Sequence, residues 1–82
     1  MAEIEPSLRE HATTSPLGEV AVIVTVEPQV TSEQLEALGL DIAQRFERIG
    51  TVAGTLKGAD LDRLAAEPGV LRIERDSPMQ AL

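Results

Sequence analysis

The chain has no cysteine, tryptophan or tyrosine, and only one phenylalanine and one histidine in 82 residues. Without cysteine, neither a disulfide nor a thiolate metal site can form. With Phe46 as the sole aromatic, the core must be built from Val, Ile, Leu and Ala. Basic residues are also scarce, seven against fourteen acidic ones, for a net charge of −7. Nucleic-acid binding rests on Lys and Arg neutralising phosphates, so this balance excludes that role, and it opposes anionic membrane surfaces in the same way. Long apolar runs are missing too. The longest covers residues 20–24, far short of a bilayer span. The first residues, MAEIEP, carry no basic or apolar leader pattern, so the expected location is cytoplasmic.

What is present suits one small domain. The apolar fraction of 43% is ordinary for a globular protein. A chain of this length buries a modest share of its surface, so its stability margin is thin. Residues 1–18 mix Glu, Pro, Ser, Thr and Gly without sustained periodicity and read as a flexible N-terminal tail that includes His11. A domain over residues 19–76 follows, and residues 77–82 read as an extended C-terminal tail.

Within the domain, residues 19–27 read EVAVIVTVE. Val20, Val22, Val24 and Val26 alternate with Ala21, Ile23 and Thr25, which predicts a strand with a valine core face and a mildly polar second face. Thr31 followed three residues later by Gln34 fits a capping box opening a helix. Gly39 is placed to end it. Residues 40–49 fit two readings. Leu35, Leu38, Ile42, Phe46 and Ile49 fall at spacings of three and four, which continues the helix; the alternative ends the helix at Gly39 and makes residues 41–49 a strand. Residues 51–56, TVAGTL, predict a short strand in which Gly54 marks a bulge or a close backbone approach. A second helix starts at Gly58, with Asp60 and Asp62 in its first turn and Leu61, Leu64 and Ala65 on its buried side. Pro68-Gly69 stops it. Residues 70–76 form a last strand, with Leu71 and Ile73 on one face and Arg72 and Glu74 on the other. The fold class expected is α+β. If the bracketed strand of β-α-(β)-β-α-β is real, the arrangement is ferredoxin-like: a four-stranded antiparallel sheet with two helices on one face and the other face open.

Catalytic chemistry is hard to assemble. The one His lies in the expected tail, so no nucleophile–base set forms around it. A Schiff-base lysine must be desolvated, and the only lysine, Lys57, sits at a strand-to-helix junction beside Gly58. GTLKG at residues 54–58 is too short for a phosphate-binding loop and lacks its Lys-Ser/Thr ending. Glu74 and Asp76 share a strand face but make a poor cation site without further oxygen ligands. The expectation is therefore a non-enzyme with no cofactor and no metal.

Phe46-x-x-Ile49, Val52-Ala53-Gly54-Thr55-Leu56, Leu61-x-x-Leu64 and Pro68-Gly69-Val70-x-x-Ile73-Glu74-x-Asp76, in that order, resemble the inhibitor I9 family. That family comprises the propeptides of subtilisin-like serine proteases and their free-standing inhibitor relatives. The resemblance covers residues 40–82, about half of the chain, and its most specific piece is PGVLRIERD. It implies a ferredoxin-like fold with a strand, not a helix, around Phe46. The helix after Thr31 is shorter than is usual in the family. The resemblance also implies that the open sheet face docks on two surface helices of the protease. Glu74 and Asp76 would then meet the helix N-termini, where unpaired N–H groups favour anions. The segment Ser77-Pro78-Met79-Gln80-Ala81-Leu82 would enter the active-site cleft as an added strand, with Leu82 in the primary specificity pocket and Met79 in the pocket three residues upstream.

The function so implied is inhibition, or assisted folding, of a subtilisin-like serine protease inside the cell, by a monomer whose contact residues are Glu74, Asp76, Met79, Gln80, Ala81 and Leu82. The alternative is a generic ferredoxin-like interaction module that pairs with a second copy through Ala21, Ile23 and Thr25. A small lyase using Lys57 is a remote third.

Overall fold

The computed structural model describes residues 1–76. Its elements are β1 (Glu3–Ile4), α1 (Pro6–Thr14), β2 (Glu19–Val26), α2 (Ser32–Ala37), β3 (Asp41–Phe46), β4 (Thr51–Lys57), α3 (Leu61–Ala65) and β5 (Val70–Arg75). Short 3-10 turns precede β4 at Glu47–Ile49 and α3 at Gly58–Asp60. The strands form one sheet in the order β1-β5-β2-β4-β3. The four longer strands pair antiparallel with their neighbours, and β1 pairs parallel with β5.

The valine alternation of β2 works as its sequence dictates. Val20, Val22, Val24 and Val26 are buried, while Ala21, Ile23 and Thr25 are half-buried. Val52 and Leu56 of β4, Ile73 of β5, Leu35 of α2 and Leu61, Leu64 and Ala65 of α3 join the same core. The helices therefore lie on the valine face and leave the other face uncovered. The domain is correspondingly flat, 32 × 30 × 19 Å, as a single helix layer on a sheet should be.

The capping box forms in full. Gln34 N–H donates to Thr31 Oγ1 at 3.1 Å, and Thr31 N–H donates to Gln34 Oε1 at 2.7 Å. Gly39, at φ +104°, takes the left-handed conformation that ends α2. The chain then enters β3, so residues 41–46 are strand. Gly54 stands where β3 crosses closely: a Cβ there would overlap the Asp41 carbonyl oxygen and come within 3.1 Å of Ile42 Cα. The irregularity this glycine accommodates lies on the partner strand, where Ala43 is the extra residue between Ile42 and Gln44. Arg45, on the far side of that bulge, reaches back to α2, donating to Ser32 Oγ at 3.1 Å and to the Val30 carbonyl at 2.6 Å.

Three expectations need correction. Among the described residues the sheet has five strands and is covered by three helices, not four and two. The cause is the second correction: residues 1–18 are not a flexible tail. They supply β1 and α1, with Leu8 fully buried in the core. Ala2 N–H donates to the Ala65 carbonyl at 2.8 Å and Glu5 N–H to the Ile73 carbonyl at 3.1 Å, tying the segment to α3 and β5. Arg9 pairs with Asp62 of α3. Pro6 opens α1, at a position where its missing N–H costs nothing. Third, Leu71 does not share a core face with Ile73. The β2–β5 register shifts between Thr25 and Val26, pairing them with Arg72 and Val70, so Leu71 is the unpaired bulge residue and is 51% exposed. Val70 and Ile73 take the core positions.

Candidate functional site

The uncovered sheet face is the candidate site. Its side chains follow from the strand register, because residues two apart on a strand share a face. One row across the sheet runs Phe46, Thr51, Thr25, Arg72 and Glu3. The next runs Gln44, Ala53, Ile23 and Glu74. The third runs Asp41, Thr55 and Ala21, and Asp76 extends it by donating its N–H to the Ala21 carbonyl at 2.9 Å. The centre is thus small and mildly apolar, built from Ala, Thr and one Ile. Phe46 is 40% exposed at one side. The β5 side carries the charge.

Glu74 and Asp76 lie on the same face, opposite Ile23 and Ala21 respectively. Glu74 is not isolated. Arg72 stands between two carboxylates, 3.5 Å from Glu3 Oε1 and 3.7 Å from Glu74 Oε2. These pairs are solvent-exposed and contribute little to stability, but they hold the Glu74 side chain along the strand. Asp76 makes no such pair among the described residues. Met79, Gln80, Ala81 and Leu82, the other expected contact residues, lie outside the described residues.

Glu3 is the open-face residue that sequence reasoning missed. Its strand is two residues long, and a strand so short leaves no period to read. Lys57 is exposed at the end of β4, opposite Glu19, without the burial that an amine nucleophile needs. His11 belongs to α1, on the helix side of the molecule, and not to the open face. Among the described residues, no group of three or more His, Asp or Glu is placed to hold a metal ion, and no helix is long and apolar enough to cross a membrane. No family model matches the chain, and no curated protein matches it.

Proposed function

We propose that the protein is an inhibitor, or folding helper, of a subtilisin-like serine protease, and that it binds through the open sheet face. The observation that carries this reading is the uncovered face itself, bordered on β5 by Glu74 and Asp76. The order β5-β2-β4-β3, with helices on one side, supports a ferredoxin-like reading of the four longer strands, with β1 and α1 added at the β5 edge. A sheet face within a 32 × 30 Å outline has room for the roughly 800 Å² per partner of a standard interface. In this reading the acidic pair meets helix N-termini of the protease, and residues 77–82 lie in its cleft as a substrate would, with Met79 and Leu82 in apolar pockets and Gln80 and Ala81 between them.

The test is inhibition of a subtilisin-like protease by the full chain and by two variants. Glu74→Ala/Asp76→Ala weakens inhibition by about tenfold or more, as expected for losing charge-assisted hydrogen bonds. Removal of residues 79–82 abolishes it. Unchanged inhibition by the shortened chain would sink the tail mechanism, and unchanged inhibition by the double variant would remove the acidic pair from the interface. The competing module that self-associates through Ala21, Ile23 and Thr25 must bring together two chains of net charge −7, which repel. The present reading therefore expects a monomer by sedimentation, and a stable dimer that buries Ile23 would favour the competitor.

A further inference from the structure

The strand β1 is only two residues long, yet it sets one side chain on each face of the sheet. Ile4 packs against the core, so Glu3 points to the open face. Backbone bonds on either side of the strand fix it there. Ala2 N–H donates to the Ala65 carbonyl at 2.8 Å, and Glu5 N–H donates to the Ile73 carbonyl at 3.1 Å. The parallel register sets Glu3 beside Arg72. Arg72 and Glu74 are two apart on β5 and share that face. The guanidinium therefore reaches two carboxylates from two different strands, Glu3 from Nε at 3.5 Å and Glu74 from Nη2 at 3.7 Å. In the free chain water serves all three side chains, and neither pair is worth much.

A partner changes this balance. A protein seated on the open face takes Arg72 and Glu74 out of water together. When Glu74 turns to the partner, Arg72 loses one of its carboxylates, and a guanidinium buried without a counter-charge strongly opposes binding. Glu3 removes that opposition. It sits on its own strand, keeps its contact to Nε and stays with Arg72 as Glu74 is released. Without it, Arg72 and the partner compete for the one carboxylate left.

We propose that Glu3 is a positioning residue of the binding face: it holds Arg72 and thereby frees Glu74 for the partner. The proposal rests on the protease reading above, which supplies the partner, and it gives a role to β1, which lies outside the four longer strands.

The experiment is a double-mutant cycle read as inhibition of a subtilisin-like protease by the full chain, Glu3→Gln, Arg72→Gln and the two replacements together. Glu3→Gln weakens inhibition by about tenfold. Arg72→Gln tightens it, because nothing then competes for Glu74. In the Arg72→Gln background, Glu3→Gln changes inhibition by less than about twofold. Two simpler roles give different patterns. Loss of one negative charge from a face that meets positive helix ends acts equally with and without Arg72. A β1 that loosened for want of the Glu3–Arg72 pair would weaken inhibition in both single variants, whereas the proposal gives them opposite signs. All four chains melt within about 5 °C of one another, as expected for exposed ion pairs. The proposal is overturned if Glu3→Gln inhibits as the natural chain does, if its loss is the same with and without Arg72, or if Arg72→Gln weakens inhibition. A natural chain that inhibits no subtilisin-like protease removes the protease reading and this proposal with it; the three preceding outcomes remove the proposal alone.

Discussion

Replacing Leu8 with Ala tests whether the first eighteen residues belong to the folded unit. Leu8 is fully buried and is the one α1 residue wholly inside the core. Removing a buried leucine side chain costs about 2–5 kcal/mol, the spread reflecting how far the site collapses. The total stability of a domain this size is on the order of 4–12 kcal/mol, so the loss is a large share. At roughly 4–8 °C per kcal/mol for a small domain, a 3 kcal/mol loss lowers Tm by about 12–24 °C. The assay is urea and thermal unfolding, with Leu17→Ala as control. Leu17 is 80% exposed, so its replacement should fall within about 0.5 kcal/mol of the natural chain. A slow-exchange signature should accompany the result. The amides of Ala2 and Glu5, which donate to Ala65 and Ile73, lose protection in Leu8→Ala more than those of β2 and β4. If Leu8→Ala unfolds like Leu17→Ala, α1 is not docked and the account of the N-terminal segment is wrong.

Two other perturbations address local devices. Thr31→Ala removes the hydroxyl that accepts from Gln34 N–H and should cost about 1 kcal/mol by denaturant midpoint, with the exchange protection of α2 falling first. Gly54→Ala forces a methyl against the Asp41 carbonyl and Ile42 Cα and should cost about 1–3 kcal/mol, whereas Ala53→Ser, on the open face of the same strand, should be close to neutral; equal effects would mean that β3 does not approach β4 at Gly54.

The parts of this fold that were legible in the sequence are those where one physical rule acted alone. The valines of β2 alternate without interruption, so their core face follows from the pleat. Thr31 and Gln34 form their box within four residues of chain, beyond the reach of tertiary context. Residues 41–46 were ambiguous because a bulge falls among them. In a regular strand Ile42 and Phe46 would share a face. The extra residue at Ala43 puts Ile42 against the core and Phe46 on the open side, so the apolar spacing mimics a helix. The bulge at Leu71 misleads in the same way, since it moves an apolar residue out of register with Ile73. The N-terminal segment was illegible for a different reason. It is held by Leu8, by backbone hydrogen bonds to Ala65, Ile73, Gly58 and Ala59 and by the pairing of Arg9 with Asp62, and none of these leaves a local pattern. The acidic pair was visible as a spacing of two on a strand, but the approach of Glu3 to Arg72 depends on parallel pairing between the two ends of the chain.

The most direct test of the central claim is a steady-state measurement of peptide cleavage by subtilisin-like serine proteases in the presence of increasing amounts of the purified chain. The account predicts that cleavage slows in proportion to bound protein, and that raising the peptide concentration relieves the inhibition, because the C-terminal residues and the peptide compete for one cleft. Cleavage that continues at full rate across a panel of such proteases, at protein concentrations far above the enzyme, would contradict it.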